Sequence, residues 1–542
     1  MSNQPKPGTL LYINMLSDIE TGKIKIPQFQ RKFVLTLEQT AGLIDSILKG
    51  YPIGTFIIWE TDERLRSIRN LGGADLPETP AGSRVQYVLD GQQRMTSIYV
   101  ALKGAKIVNE DGVPVDYGNI YVDLKAAMDE QIVVIAKEDD DNRYISVVDL
   151  VHAKTRWLTE HYSSDDLDVI DNYKDAIKTY QFTKIDIIDA PLDVATEIFT
   201  RINVTGKPLS LFEIMVAKTY DADKDFDLSE KYDALIQKLI PFGYDGISSS
   251  TVLQTIGAIL IKDCRKKGIL RLDKQSFIDV YAKAEQSIID AISYFYNTYR
   301  IVAAQILPYD ALIVPFAYFR YFHPDKPLGQ QSDYLRDYFW HCVLAGRFSS
   351  AVDSKLTQDI KSIDDILAGK KPVYDYGIDI SCDAIRAKGY FTAGSAFIKG
   401  LICILADHQP KSFADNTTVT MTNAWLARAD RQNYHHFFPK AYMRKYQPLI
   451  EDWRVNHIAN ITIVDDYINK YRIGARAPSD YMAEFRKFNP DGIEKTMDDH
   501  LISLTEESGV FSDDYETFFQ YRLKRFNEEL KKRVILGEMD KA

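Results

Sequence analysis

The segment Asp430-Arg-Gln-Asn-Tyr-His-His-Phe-Phe-Pro-Lys440 decides the fold prediction for this chain, because two neutral-pH bases stand side by side in it, His435 and His436. An imidazole can accept a proton from water or bind a divalent metal near neutral pH. The Phe-Phe pair and the proline that follows predict the end of a short strand that enters a turn. Neighbouring side chains on a strand point to opposite faces, so one histidine can face a metal while the other faces a substrate.

A second polar pattern follows downstream. The run Asn456-His-Ile-Ala-Asn-Ile-Thr-Ile-Val464 is rich in β-branched residues and predicts a strand, and Asp465-Asp-Tyr-Ile-Asn-Lys470 has helical spacing. The order His-His-x-x-Pro, then Asn, then Asn-Lys resembles the His-Asn-His nucleases, also called HNH, ββα-metal or His-Me finger nucleases. More narrowly, His-His-Phe-Phe-Pro-Lys-Ala, Ile-Ala-Asn-Ile-Thr-Ile and Arg476-Ala-Pro-Ser-Asp-Tyr481 are similar to the C-terminal nuclease domain of the GmrSD/SspE-like family of type IV restriction enzymes.

The resemblance implies a role for four of these residues. His436, which stands directly before x-x-Pro, would be the general base that activates water, and Asn460 would orient it through a hydrogen bond. His435 and Asn469 would bind one Mg²⁺ or Mn²⁺, which stabilises charge on the scissile phosphate. Two protein ligands leave such an ion mostly hydrated, as Mg²⁺ prefers.

These residues also have a structural interpretation. A histidine pair by itself is more often a surface pair or a satisfied core pair, and it is the agreement of several spacings that favours catalysis. His457 is best interpreted as a loop or packing histidine, with a phosphate contact as the alternative.

Length and composition set the class of protein. A chain of 542 residues predicts two or three domains, and 45% hydrophobic residues are typical of a packed globular protein. The four cysteines lie far apart and form no C-x-x-C pair, which argues against a zinc ribbon and favours a reducing compartment. We find neither an apolar leader segment nor a stretch of membrane-span length, so the sequence predicts a cytoplasmic protein without membrane contact.

The charge distribution bears on nucleic-acid binding. A net charge of -11 argues against a protein that coats nucleic acid by bulk electrostatics. Residues 428–487, however, hold eleven Lys or Arg against seven Asp or Glu, which makes this segment about +4. A local DNA contact is therefore expected here, although a solvated helix face would give the same count.

The N-terminal part of the sequence contains a strand that runs through Asp90-Gly91 into a helix. The strand starts at Val85, and the helix is predicted to continue to Leu102; an earlier amphipathic helix is predicted from Leu37 to Leu48. A glycine at a strand-to-helix junction frees backbone amides at the helix N-terminus, and an arginine in the first turn can clamp an anion bound there.

The surrounding motifs resemble the N-terminal domain of the same family, which in turn resembles the ParB/sulfiredoxin fold. They are Ile26-Pro-Gln-Phe-Gln-Arg31, Ser46-Ile-Leu-Lys-Gly-Tyr-Pro-Ile-Gly54 and Leu89-Asp-Gly-Gln-Gln-Arg-Met-Thr96. The resemblance implies that Asp90 binds a metal or positions water and that seven further residues hold a nucleoside triphosphate, GTP or another. Those residues are Gly91, Gln92, Gln93, Arg94 and Thr96, with Gln30 and Arg31 approaching from the facing strand. The alternative is that Arg31 and Arg94 form a salt-bridge network that braces the sheet.

A third match to the family lies between Glu197 and Glu213. Arg201 and Asn203 would line the nucleotide pocket, whereas Ser210 and Glu213 are best interpreted as a helix cap. Strands between residues 104 and 190 are expected to complete the first sheet. Residues 212–407 have an almost wholly helical pattern, and we expect them to link a nucleotide sensor to the nuclease.

The sequence therefore predicts an α+β multidomain protein. Its parts would be a ParB/sulfiredoxin-like α/β domain over residues 1–211, a helical region over 212–415 and an HNH nuclease embedded in helices over 416–542. The predicted function is a nucleotide-regulated, Mg²⁺-dependent DNA endonuclease of an anti-phage restriction system that hydrolyses NTP and acts on modified phage DNA. Homodimerisation and other defence proteins as partners are compatible with this function. The alternatives are a nucleotide-gated DNA-binding module without cleavage, and an RNase or toxin with the same metal site.

Overall fold

The computed structural model describes most of the chain. The described residues are 5–27, 35–65, 70–71, 74–80, 82–108, 113–135, 142–202, 210–221, 223–392, 394–419, 434–464 and 468–542. They form two compact units, Met1–Leu228 and Ser229–Ala542, each of mixed or helical secondary structure. The predicted α+β class is confirmed, whereas the ParB-like and HNH folds and the three domain bounds stay predictions.

The first unit is built on a mixed five-stranded sheet of order β1-β12-β3-β6-β2. β1 and β12 are antiparallel, β12 and β3 parallel, β3 and β6 antiparallel, and β6 and β2 parallel. The strands of this unit are β1 Lys6–Leu11, β2 Ile24–Lys25, β3 Thr55–Thr61, β4 Asn70–Leu71, β5 Ala74–Asp75, β6 Val85–Asp90, β7 Lys106–Val108, β8 Pro114–Asp116, β9 Tyr121–Asp123, β10 Val133–Val134, β11 Tyr144–Ser146 and β12 Gln181–Ile188.

Local sequence signals explain the helices next to this sheet. α2 begins after Thr36, which forms a capping box with Gln39, and Gly50 follows its end with a φ of 71°. Apolar side chains of α2 and α3 join those of β3 and β6 in one core. The helices of this unit are α1 Tyr12–Glu20, α2 Leu37–Leu48, α3 Gln92–Lys103, α4 Val147–His152, α5 Thr155–His161, α6 Ser164–Thr179, α7 Leu192–Ile202 and α8 Leu211–Thr219.

One predicted feature of the first unit is wrong. Of the strands expected to complete the main sheet, only β12 does so, while β9, β10 and β11 form a separate three-stranded sheet of order β10-β9-β11. These three strands are only two or three residues long, and each pairs with a near neighbour in sequence. Short strands close such local ladders with little loop-closure entropy, which sequence periodicity does not reveal.

The second unit is mostly helical, as predicted. Its first helices are α9 Leu228–Leu239, α10 Ser249–Ile261, α11 Lys266–Leu270, α12 Lys274–Thr298, α13 Ile313–Phe322, α14 Gly329–Leu344, α15 Val352–Leu367, α16 Cys382–Lys388 and α17 Ala396–Asp407. The helical pattern is interrupted after Leu367, where the sequence places Gly, Lys and Pro. Arg347 is paired with the buried Asp359 at 2.8 Å.

The last part of the second unit carries two short strands among helices. β13 Tyr434–His436 pairs antiparallel with β14 Ile461–Ile463. The remaining elements are α18 Lys440–Tyr446, α19 Asp452–Val455, a π-helix Ile468–Ile473, α20 Pro478–Phe488, α21 Ile493–Asp499 and α22 Tyr515–Lys531. No helix among the described residues is both long and apolar enough to cross a bilayer.

Candidate active site

The two adjacent histidines lie on β13, in register with β14. His435 is opposite Thr462, and His436 is opposite Ile461. His435 is buried, with 3% of its surface exposed, whereas His436 is half-buried. The strand predicted at this position is therefore present, and its alternation turns the two imidazoles to opposite faces. The preceding residues Asp430 to Asn433 lie outside the described part of the chain.

The ring of His436 is held by Asn456, a residue to which the sequence alone assigned no role. His436 Nε2 lies 3.0 Å from Asn456 Oδ1, and Asn456 Nδ2 donates to the Phe391 carbonyl at 3.2 Å. Because the amide nitrogen of Asn456 donates to a carbonyl, the amide oxygen faces the imidazole. This oxygen can only accept a hydrogen bond, so the ring nitrogen Nε2 carries the hydrogen. His436 is thus fixed as the Nε2–H tautomer, which leaves the lone pair on Nδ1 to accept a proton.

The environment of His436 keeps its ring neutral. Burial lowers its pKa to about 4, and the Lys440 charge acts in the same direction, while the hydrogen bond that the ring donates to Asn456 opposes them. A histidine with this pKa is unprotonated at neutral pH. It therefore has the protonation state that a general base requires.

Asn460 does not make the hydrogen bond to His436 that the resemblance implied. Its carboxamide is fully buried and bonds to backbone groups instead, accepting from Phe438 N at 2.8 Å and donating to Phe438 O at 3.1 Å and Val455 O at 3.0 Å. Its own carbonyl accepts from Phe437 N at 2.8 Å. Asn460 follows a 3₁₀ turn next to β14, so its side chain points into the turn after His436. Asn460 therefore fixes the backbone that carries His436. The hydrogen bond to the His436 ring, which was expected from Asn460, is made by Asn456.

The aromatic residues after His436 anchor β13 to α22. The rings of Phe437 and Phe518 stack with centroids 5.0 Å apart, and Phe438 packs edge-on against Tyr515 at 5.2 Å. From the same helix the fully buried Arg522 donates to Ile461 O at 2.8 Å. Burial lowers the pKa of Arg522 to about 9, because the charged guanidinium loses its contact with water. Holding β14 in this way therefore costs desolvation free energy.

His457 is a structural histidine, in agreement with its sequence interpretation. It is fully buried, its Nδ1 accepts from Ala459 N at 3.1 Å, and its Nε2 lies 3.2 Å from the carbonyl of Ile385. Burial lowers its pKa to about 4. Both ring nitrogens are engaged with backbone, so a phosphate contact does not fit this residue.

The proposed metal ligands are only partly described. Among the described residues, no three His, Cys, Asp or Glu side chains come together in a way that could hold a metal ion. Asn469 lies in the π-helix, but its side chain, like residues 465–467, is outside the described part of the structure. An imidazole and a carboxamide oxygen are donors that a largely hydrated Mg²⁺ or Mn²⁺ accepts, so the donor chemistry fits the predicted ion.

A cleft of about 560 Å³ lies beside the candidate base. Asn456, whose oxygen holds the His436 ring, is one of its lining residues, and α18 supplies Lys440 and Arg444 to the same cleft. Its full lining is Tyr390, Lys440, Met443, Arg444, Gln447, Pro448, Ile450, Asp452, Trp453, Val455 and Asn456. Lys440 directly follows Pro439, and Arg444 lies four residues further on. This i, i+4 spacing of two cations could be read from the sequence, within the segment of positive charge.

In the first unit, Arg94 is bonded to the backbone around the predicted phosphate cradle. Its Nη1 donates to Ile53 O at 2.6 Å, and its Nη2 donates to Thr55 O at 3.0 Å and to Asp90 at 3.4 Å. The guanidinium also lies over the Phe56 ring, 5.5 Å from its centroid. These bonds use three of the five guanidinium N–H groups, so Arg94 braces the start of β3. Arg31, the other cation of the structural alternative, lies outside the described residues.

Two glycines make room for this arginine. Gly54 has a φ of 93° and Gly91 a φ of 87°, a backbone conformation that L side chains rarely adopt. A Cβ at Gly54 would overlap Arg94 Nη1, and one at Gly91 would overlap the Phe56 ring. Gly91 is also the N-cap of α3, so its left-handed conformation starts the helix whose first amides face the predicted anion.

The other predicted nucleotide-binding residues are placed as follows. Gln92 and Gln93 are half-buried in the first turn of α3, whereas Thr96 is buried at 3% exposure. The side chain of Arg201 is 78% exposed and pairs with Glu197 at 2.6 Å. Gln30, Arg31 and Asn203 lie outside the described residues. Ser210 and Glu213 form a capping box at the start of α8, which confirms their interpretation as a helix cap.

Comparison with known proteins bears mainly on the first unit. Residues 12–220 match the family model of the GmrSD restriction endonuclease N-terminal domain. The matched segment includes Asp90 to Thr96 and ends before β13, so it indicates a restriction-endonuclease-like role without reaching the candidate base.

A protein relative extends beyond that segment. The chain is 24% identical over 522 residues to the uncharacterized protein MJ0686 of Methanocaldococcus jannaschii, which covers 87% of this chain and 86% of the relative. This coverage exceeds either unit alone, so the similarity takes in parts of both units.

Proposed function

We propose that the protein is a nucleotide-regulated, Mg²⁺-dependent DNA endonuclease that acts in restriction of foreign DNA. The observation that carries the proposal is the neutral imidazole of His436, held as a single tautomer by Asn456 beside a cleft with two cations. The family-model match of the first unit supports the same role, since its name is that of a restriction endonuclease. Modified phage DNA as the target is part of the proposal by the same resemblance.

The chain's own groups would perform most of the chemistry. His436 Nδ1 would take a proton from the attacking water, because Nε2 is engaged with Asn456. Lys440 and Arg444 would offset the charge of the phosphate in the cleft. His435 and Asn469 would hold the Mg²⁺ or Mn²⁺, which when bound supplies Lewis-acid stabilisation of the phosphate and the leaving oxygen.

The first unit would bind and hydrolyse a nucleoside triphosphate, GTP or another, at the N-terminus of α3. Backbone amides at a helix N-terminus bind phosphate, and Gly91 presents them without a side chain in the way. Arg94 then contributes chiefly by fixing the loop from Ile53 to Thr55, and Asp90 is the group that would position a metal or water. Homodimerisation and other defence proteins remain compatible with this role.

Two variants test this assignment. His436→Ala is expected to lose at least about 100-fold in plasmid nicking with Mg²⁺, which is the lower range of a general base's contribution, while phosphate release from NTP is retained. Asp90→Asn should reduce phosphate release from NTP and leaves the site around His436 unaltered. Lys361→Ala, an exposed cation on α15 outside residues 428–487, is the matched control for both assays.

The substrates should include modified and unmodified phage DNA, RNA of the same length and each NTP in turn. A His436→Ala protein that cuts as fast as the unaltered chain would overturn the nuclease assignment. Cleavage of RNA but not DNA would replace it with an RNase assignment at the same site.

A further inference from the structure

The cleft beside His436 exposes two aromatic rings. Trp453 is 37% exposed and Tyr390 is 50% exposed, and both line the cleft. Large aromatic side chains usually bury most of their surface or pack against other rings, as Phe437 and Phe438 do next to them. Exposed ring faces that line a concave surface are the kind of platform on which a nucleobase stacks.

The cations of the same cleft form no ion pair with a carboxylate among the described residues, although Asp452 also lines the cleft. Within the described residues, neither Lys440 nor Arg444 lies within 4.0 Å of an Asp or Glu oxygen, whereas nearby Arg454 pairs with Glu516. Lys440 and Arg444 are four residues apart on α18 and so share a helix face. Partial burial lowers the pKa of Lys440 and the Arg444 charge lowers it further, while the Asp452 carboxylate of the same cleft acts in the opposite direction.

The cleft is small compared with a duplex. Its volume of about 560 Å³ lies within the range of small-ligand sites, roughly 300–1,000 Å³. In a duplex, neighbouring base pairs cover the faces of each base. An aromatic side chain in such a cleft can therefore stack on a base only after that base has left the duplex stack. Asn456 joins this cleft to the ring of His436, which sets a nucleotide in the cleft next to the candidate base.

We propose that this cleft binds one unstacked nucleotide of a single DNA strand, with its base against Trp453 and its phosphate on Lys440 and Arg444. The proposal rests on the proposed nuclease function and deepens it. It makes the preferred substrate a single strand, a junction or a duplex with a displaced base, rather than regular double-stranded DNA.

Binding and cleavage are measured separately to test this. The full chain carrying His436→Ala is titrated in EDTA against a fluorescein-labelled 12-nucleotide oligo-dT, a blunt duplex of equal length and oligo-U. We expect the oligo-dT to bind at least 10-fold tighter than the duplex. Trp453→Ala should weaken oligo-dT binding at least 10-fold, while Trp453→Phe, which keeps an aromatic face, stays within threefold of the parent.

The cationic contribution has its own measurement. Lys440→Ala and Arg444→Ala should each lower the slope of log affinity against log salt by about 0.7, the value for one phosphate contact on a single strand. Lys361→Ala is the matched control and should leave the slope unchanged. Circular dichroism of each variant separates lost binding from lost folding.

The outcomes distinguish the two proposals. Equal binding of oligo-dT and duplex, or Trp453→Ala with unchanged affinity, overturns the single-strand cleft whether or not the protein cuts DNA. Tighter binding of oligo-U than of oligo-dT overturns the DNA assignment of the cleft. If oligo-dT binds through Trp453 but the unaltered protein cleaves no DNA with Mg²⁺, the nuclease proposal is wrong and the single-strand binding proposal is retained.

Discussion

Arg94 in the first unit and the Lys440–Arg444 pair in the second are both cations of predicted phosphate sites, yet their surroundings differ. Arg94 donates to two backbone carbonyls and to Asp90, under two glycines that leave no room for a Cβ. Lys440 and Arg444 are exposed in a cleft, without a carboxylate partner among the described residues. A cation in a recognisable motif can therefore serve the backbone, as Arg94 does, or be open to a ligand, as Lys440 is, and the contacts of its side chain decide between the two.

The two regions also differ in how they treat ionisable groups. The first unit surrounds its candidate site with ion pairs and charged hydrogen bonds, such as Arg94 with Asp90. The end of the second unit instead buries neutral histidines: burial lowers the pKa of His436, His457 and His500 to about 4 in each case. Acid should therefore affect the second unit through its histidines well before carboxylates protonate.

The largest predicted effect is a loss of stability between pH 7 and pH 5. The three histidines have folded pKa values near 4 and unfolded values near 6.5, so the unfolded chain takes up protons first and stability falls as pH drops through this window. Each contributes about 1 to 2 kcal/mol over these two pH units. His341 opposes them, because the Asp337 carboxylate raises its pKa against burial, so its contribution is present at low pH and lost as pH rises.

Urea unfolding of the full chain at pH 7, 6 and 5 measures this change, and hydrogen exchange assigns it to a unit. We expect a net decrease of about 3 kcal/mol, with faster exchange first around β13 and β14. A free energy of unfolding that is flat or rises toward pH 5 would contradict the buried neutral state of these rings. Most carboxylates contribute little in this range because their ordinary pKa values lie below it. Burial raises the pKa of Asp310 and Asp359, which therefore act against the decrease, as His341 does.

The next effect concerns the cations themselves. Arg94→Ala removes the donor of two backbone carbonyls and is expected to lower the free energy of unfolding of the first unit by about 3 kcal/mol, at roughly 1.5 kcal/mol for each lost charged hydrogen bond. Arg444→Ala, an exposed cation without such bonds, should change it by less than about 0.5 kcal/mol. Thermal and urea unfolding of both variants decide the comparison, which fails if Arg444→Ala is the more damaging change.

The elements that the sequence predicted well are those determined by local signals. The Leu37–Leu48 helix has the predicted bounds because Thr36, Gln39 and Gly50 cap its two ends. The strand and helix around Gly91 follow the predicted order for the same reason. Strand pairing was predicted poorly, because residue spacing does not show whether a short strand closes a local ladder, as β9 does with β10 and β11, or joins the main sheet, as β12 does.

The candidate site shows the same limit at the scale of single side chains. Sequence patterns placed His435 and His436 on a strand and singled out Asn460, but two asparagines four residues apart compete for the contact to His436. The chain path decides between them, because Asn460 lies inside the turn after His436 and Asn456 lies at its rim. Lys440, Arg444 and Trp453 were visible in the sequence only as part of a positive segment, and their common cleft requires the fold.

A smaller effect tests the room around Arg94. Gly50 and Gly54 both have positive φ, but a Cβ at Gly50 meets nothing within 4 Å, while one at Gly54 overlaps Arg94. Gly50→Ala is expected to lose about 1 kcal/mol of unfolding free energy from backbone strain alone, and Gly54→Ala about 2 kcal/mol more through displaced Arg94 bonds. In an Arg94→Ala background this excess should vanish, because coupled residues are not additive. An excess that persists there would place the strain elsewhere.

The smallest effect separates a positioning residue from a merely structural one. Asn456→Ala should lower kcat for nicking by about 10-fold with little change in KM, which is part of the contribution of a well-oriented general base. Asn456→Asp places a carboxylate at the Nε2–H of His436 and should raise the pKa of that ring, so the acidic limb of the pH–rate profile moves to higher pH. His436 needs to be neutral to accept a proton, so the Asp variant loses rate first at acid pH and recovers toward alkaline pH. The contrary result is a pH–rate profile of Asn456→Asp that does not shift, with kcat and KM reduced together. Asn456 would then support only the backbone turn at Phe391, and another group would fix the tautomer of His436.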